Sequence, residues 1–215
     1  VPPASNDTSA LASHLQMPAG RELPGKIIPL FDSLMSAGEQ IRIMYYGDSQ
    51  IEGDRITSRL RRSLRAGYGG SGPGLFLPAM PVMYTMSLNI KSSQNWERYN
   101  YLSYRDSILD SNALGPFMTI CRYLPPGRET VNETSAFVRI TPSVFSDSAA
   151  SDYRNLRILY GNVRNKITLR IIADGRELMA DTLARRPGIN EFSCGLNSPH
   201  EIRIEFGGKG SPDIY

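Results

Sequence analysis

The chain is short of the side chains that most often hold metals. It has 2 cysteines and 2 histidines in 215 residues. Structural zinc sites draw four ligands from those two types, so no metal site is expected from Cys121, Cys194, His14 and His200. The cysteines both fall in expected strands. They read as two buried thiols or as one bridge, because spacing alone proves no disulfide. No apolar run approaches the ~20 residues of a membrane helix. Charge of one sign is also lacking, with 24 basic against 21 acidic residues and a net +3. That balance offers no strong field for nucleic acid.

Nucleotide-binding loops are missing too. The glycine-rich run Gly67-Tyr-Gly-Gly-Ser-Gly-Pro-Gly74 leads into Pro73 and an extended segment. A phosphate-cradling loop needs Gly-Lys-Ser/Thr opening a helix. The run Gly207-Gly-Lys-Gly-Ser211 fails the same test, and no cofactor is expected. The start, Val1-Pro-Pro-Ala-Ser-Asn-Asp, has neither the charged beginning nor the apolar stretch of a signal peptide. It reads like the ragged beginning of a processed or trimmed protein, which is compatible with export.

What is present is an ordinary globular composition, with 40% hydrophobic and 21% charged residues. Gly (19) and Pro (15) favour many turns and short strands. Apolar residues at 27, 28, 30, 31 and 34 recur at helical spacing, and Gly38 provides a stop. A short apolar run over 41–46 predicts a strand, broken by Gly47-Asp48-Ser49. Beyond Gly53 the residues Ile56, Leu60 and Leu64 mark the apolar stripe of a helix. Asp54 is its expected N-cap and Gly67 its expected end. Arg59, Arg61, Arg62 and Arg65 are expected on its solvated faces.

From about 80 to 206 the pattern changes to short alternating runs separated by turn signals. Strands are expected over 83–91, 94–101, 117–123, 135–141, 155–160, 166–173, 176–182, 189–194 and 200–206. Ala173-Asp-Gly-Arg176 predicts a hairpin turn. Strands at this spacing predict a β-sandwich of jelly-roll type.

The stretch Tyr46-Gly47-Asp48-Ser49-Gln50, followed by Glu52-Gly53-Asp54-Arg55, resembles the first sequence block of SGNH (GDSL-type) hydrolases. The likeness is greatest to peptidoglycan or polysaccharide O-acetylesterases, in which a β-sandwich interrupts the hydrolase fold after that block. The resemblance implies an α/β fragment, one strand with flanking helices, joined to an inserted all-β jelly roll. Residues 1–75 then form the N-terminal part of the hydrolase domain and 76–207 a sandwich resembling carbohydrate-binding modules. Residues 208–215 begin the return to the hydrolase.

The same resemblance makes Ser49 the nucleophile, with its own N–H in the oxyanion hole, and gives Gly47 and Asp48 the support of the turn. It implies an acetylated polysaccharide or other ester as substrate and a periplasmic, cell-surface or secreted location. The physics is compatible, because a serine hydroxyl attacks only when a base takes its proton. The alternative is that Ser49 caps a helix while Asp48 satisfies turn amides.

The family's Asp-x-x-His block does not occur in the chain. His14 lies in the irregular lead-in, and His200 is preceded at the third position by Asn197. The base and part of the oxyanion hole are therefore expected in a remaining C-terminal hydrolase segment, and this stretch alone is expected to be inactive. Trp96, Tyr99 and Tyr101, with Tyr104, are candidates for stacking on sugar rings, or alternatively for the sandwich core. The rival to an enzyme is a non-catalytic carbohydrate-binding or adhesion module.

Overall fold

The computed structural model describes residues 29, 32, 33, 36, 43–80, 85–100, 114–128 and 132–215. Ten strands build two five-stranded antiparallel sheets: β1 (Leu88–Ser92), β2 (Glu97–Asn100), β3 (Thr119–Arg122), β4 (Thr134–Pro142), β5 (Asn155–Gly161), β6 (Ile167–Ala173), β7 (Arg176–Thr182), β8 (Asn190–Gly195), β9 (Ile202–Gly208) and β10 (Asp213–Ile214). One sheet runs β1-β4-β9-β6-β7 and the other β2-β3-β10-β5-β8. Remove the edge strands β1 and β2, and the orders 4-9-6-7 and 3-10-5-8 are those of a jelly roll, with the first and last strands paired.

Alternation in the sequence decides the faces. Along β4 the residues Ala136, Val138 and Ile140 are buried while their neighbours are partly open. Pairing carries the pattern across the sheet, so that Val138 lies opposite Ile204 and Ile204 opposite Ile171. The same rule places Ala136, Phe206 and Leu169 in one inward row. These rows meet Leu156, Ile158 and Tyr160 of β5 in one core. Truncating a residue such as Ile171, which is fully buried, costs about 2–5 kcal/mol from lost contacts and the cavity left behind.

β3 is buried on both faces. Cys121 points into the main core, whereas Ile120 joins Tyr99 and Tyr215 in a second, smaller cluster. Tyr215 reaches that cluster because glycines let it. A Cβ on Gly115 would lie 2.6 Å from the Tyr215 Cβ, and one on Gly161 would lie 2.7 Å from its hydroxyl.

All nine expected strands are present, shifted at their ends by a few residues. The tenth differs. Residues 208–215, expected to leave the sandwich, supply β10 at the centre of the second sheet. Two residues are too few to show alternation, so no local period marks this strand. Buried Asp213 is held there by Arg122 (Nη1 to Oδ1, 2.6 Å), an ion pair that no periodicity reveals.

The α/β fragment differs more. Residues 43–47 are irregular and exposed rather than a strand. A lone run has no neighbouring edge among the described residues to satisfy its N–H and C=O groups, and a strand exists only through such pairing. Of the expected first helix, Pro29, Asp32, Ser33 and Ser36 are helical, and the rest lies outside the described residues. The second helix is present as α1 (Arg55–Tyr68), ending at Gly69 rather than Gly67.

Candidate functional site

The turn at Ser49 is built by its neighbours. The Asp48 carboxylate accepts the Gln50 N–H (2.9 Å), and its carbonyl accepts the Ile51 N–H (3.2 Å). This closes a 3₁₀ segment, Ser49–Asp54. Gly47 lies close to Ile51: a Cβ there would sit 3.1 Å from Ile51 Cγ2, a tight contact with a side chain. The segment kinks at Glu52 and at Gly53 (φ 69°), and Asp54 follows in a left-handed conformation (φ 64°). Asp54 therefore occupies the N-cap position without capping the amides of α1.

Asp54 has a different set of partners. Its carboxylate accepts hydrogen bonds from the Thr57 hydroxyl, the Arg61 guanidinium and the Ser87 hydroxyl. Arg61 also donates to Ser87 Oγ (3.0 Å), and the Met86 N–H donates to the Gly53 carbonyl (3.0 Å). Further along α1, Arg62 pairs with Asp147 (3.0 Å) and Arg65 lies 3.9 Å from its other oxygen. The Gly72 N–H then donates to the Ala149 carbonyl (2.9 Å).

Helix and sandwich are thus joined by polar groups. This corrects the expected orientation of α1 in part: Arg61 and Arg65 turn toward the sandwich, Arg59 and Arg62 are exposed as expected, and Ile56 and Leu60 of the apolar stripe are exposed while Leu64 is half-buried. A stripe of three apolar residues on one helix fixes amphipathicity, but not which neighbour lies on which side.

Electrostatics follow the same contacts. Burial works to raise the Asp147 carboxyl, but the Ala150 amide, Arg62 and Arg65 outweigh it and hold the group below the ordinary aspartate range. Burial, with Arg61 adding repulsion, lowers Arg65.

Ser49 itself is exposed. Its carbonyl accepts from Arg55 (3.3 Å), and among the described residues no hydrogen bond reaches its hydroxyl. His200, two residues before β9, donates its backbone N–H to Asp174 (3.3 Å). His14 lies outside the described residues.

The aromatic candidates resolve differently from the sugar-stacking expectation. Trp96 is buried, donates Nε1–H to the Phe137 carbonyl (3.0 Å) and meets Tyr123 and Phe206 edge-on at 5.4 and 5.6 Å. Tyr99 is buried in the second cluster. Neither ring has a face open to a sugar, because both belong to the core. Tyr101 and Tyr104 lie outside the described residues. Exposed rings are found instead at Tyr45, Tyr46, Phe117 and Phe145, a set the sequence did not single out. Cys121 and Cys194 are both buried free thiols. Among the described residues, no group of three or more His, Cys, Asp or Glu could hold a metal ion, and no helix is long and apolar enough to cross a membrane.

The described architecture defines a two-sheet β-sandwich with a helix and a serine-bearing turn fastened to one end. No family model matches the chain, and no curated protein matches it. Among solved structures, a similarity is found to the enzymatically active domain of tailspike protein 4 of bacteriophage CBA120. Identity is 11% and the TM-score 0.30, over 60% of this chain and 18% of that one. The chain therefore spans less than a fifth of that protein's length, and a likeness of this size carries no argument about function.

Proposed function

We propose that this chain carries the nucleophile of a serine ester hydrolase of SGNH type, acting on an acetylated cell-wall or other polysaccharide. The observation that supports this most is the Ser49 turn. Asp48 closes it, Gly47 lets it pack tightly, and Asp54 anchors it to the sandwich through Ser87 and Arg61. An exposed hydroxyl on a braced turn is a suitable nucleophile once a base is supplied.

In this reading Ser49 Oγ bonds to the ester carbonyl carbon while its proton passes to the base. The carbonyl electrons move onto oxygen, where the Ser49 N–H stabilises them. Collapse expels the sugar hydroxyl, which takes up the proton, and water then releases acetate from the acyl-serine. The base and the other oxyanion donors belong to a remaining hydrolase segment of the same protein. The exposed Ile56 and Leu60 stripe of α1 is the surface on which that segment packs. No metal or cofactor enters the scheme. A periplasmic, cell-surface or secreted location accords with such a substrate. Replacing Ser49 with Ala in the full-length protein should abolish turnover of an acetyl ester such as p-nitrophenyl acetate. Retained turnover refutes the proposal.

One observation favours a second reading, a non-catalytic carbohydrate-binding or adhesion module: no base is hydrogen-bonded to Ser49 among the described residues. Full-length protein that sediments with an insoluble polysaccharide yet releases no acetate would select that reading.

A further inference from the structure

At the end of the sandwich away from Ser49, the loops after β3, β5 and β9 converge on a polar pocket open to solvent. Arg122, Arg128, Arg164, Asn165, Gly210 and Ser211 line it. The two ends are distinguishable by pairing. Thr134, Ile167 and Gly208 meet at the pocket end, whereas Leu88 pairs with Pro142 at the end that holds Ser87 and α1. Strands of seven to nine residues separate the two by roughly 20–25 Å at ~3.3 Å per residue. The pocket is thus no part of the Ser49 turn.

Among the described residues its charge is unbalanced. Three guanidiniums line one small space, and the single described carboxylate bonded to any of them is Asp213, which takes Arg122 and also lies in the field of Arg164. Arg122 is buried, and three of its donors are used, by the Leu124 carbonyl (3.2 Å), Asp213 (2.6 Å) and the Ser211 carbonyl (2.8 Å). A guanidinium carries five N–H groups, so two remain. Arg164 is exposed and bonds only the neutral amide oxygen of Asn162 (3.2 Å). The Arg128 side chain has no hydrogen bond or ion pair among the described residues. Lys166 and Lys209 adjoin lining residues in the chain and are exposed as well.

Converging cations repel one another unless an anion enters. Planar guanidiniums match the two oxygens of a carboxylate or phosphate with paired hydrogen bonds. A buried Arg122 with donors to spare, flanked by Arg128 without a side-chain partner among the described residues and by Arg164 bonded to a neutral amide, meets that need.

We propose that this pocket is an oxyanion-binding subsite, taking a carboxylate or phosphate group of a ligand between Arg122, Arg128 and Arg164. The site does not rest on the ester-hydrolase reading, since its residues lie at the other end of the sandwich.

Calorimetric titration of the full chain, at fixed ionic strength, with inorganic phosphate, with glucuronate and with uncharged glucose tests it. At least one anion should bind saturably while glucose does not. Arg128→Gln combined with Arg164→Gln should weaken that binding about tenfold or more, the loss of roughly one charge-assisted hydrogen bond. Both side chains are exposed, so the melting temperature of the double variant should match that of the parent. Saturation by glucuronate but not phosphate identifies a glycan carboxylate, and the converse a phosphate group. No saturable anion binding, equal binding by the double variant, or equal binding of glucose overturns the proposal.

Discussion

Asp54 accepts a hydrogen bond from Ser87, 33 residues further along the chain, and so ties the turn after Ser49 to the strand that opens the sandwich. Arg61 donates to both partners, which makes the three side chains one unit. Replacing Asp54 with Ala leaves Arg61 partly buried without its counter-charge. The expected loss is about 2 kcal/mol, since hydrogen bonds to charged groups contribute roughly 1.5–3 kcal/mol. Ser87→Ala should cost less, because Asp54 and Arg61 still pair. Urea denaturation of the two variants and of their combination checks this. The double loss should fall short of the sum, as it does for residues sharing one network.

Asp147 makes the α1 joint sensitive to acid. Its folded carboxyl lies below the ordinary aspartate value because the Ala150 amide, Arg62 and Arg65 together outweigh the opposing effect of burial. A depressed carboxylate contributes stability that is present above its unfolded value, about 4, and is lost as pH falls through its folded value. Protection of the α1 amides, relative to the intrinsic exchange rate at each pH, should therefore fall below about pH 4, and Asp147→Asn should remove that dependence. An equal fall in both proteins would place the acid-sensitive contact elsewhere.

Asp213 has the opposite sign. Burial raises its carboxyl despite Arg122 beside it. Its own contribution therefore favours folding at low pH and declines as pH rises from about 4 through the folded value. Asp213→Asn removes that decline but strands buried Arg122. At neutral pH the net outcome is a loss of about 3–5 kcal/mol, the usual result of breaking a buried ion pair from one side. Thermal melts across pH 3–7 read both effects.

Trp96 should behave as a core residue. Trp96→Ala is expected to cost about 3–5 kcal/mol, visible as a lower denaturant midpoint with or without any glycan present. Tyr123 meets it edge-on and carries a buried hydroxyl that has no hydrogen-bond partner among the described residues. Tyr123→Phe should leave stability unchanged or raise it, because an unsatisfied buried hydroxyl costs about 1–3 kcal/mol.

Cys121 should be chemically silent in the folded protein. It is fully buried, and desolvation pushes its thiol up to about 11. Reaction with iodoacetamide at neutral pH should be undetectable at Cys121 until denaturant is added. Reduction should leave the mass of the intact chain unchanged, as both thiols are free.

Much of the sandwich was legible because strands such as β4, β6 and β9 alternate. Ile167, Leu169 and Ile171 face inward while Thr168 and Arg170 face solvent, and a period of two declares a half-buried strand without any neighbour being known. β10 was not legible. It is short and is placed by Arg122 reaching Asp213 across 91 positions of the chain. The Gly-Asp-Ser turn could also be read, since Asp48 acts on the amide two residues away. The roles of Asp54 and the arginines of α1 could not, because Ser87 and Asp147 are remote in sequence.

Local pattern sufficed for every strand of the sandwich except β10 and for the turn at Ser49. All of these depend on interactions within a few residues or on a local period. The packing of distant segments places Trp96 and Tyr99 in the core, turns Arg61 and Arg65 of α1 toward the sandwich, and brings Arg122, Arg128 and Arg164 to one pocket. Each of these depends on which distant loops and strands meet, and no local pattern carries that information.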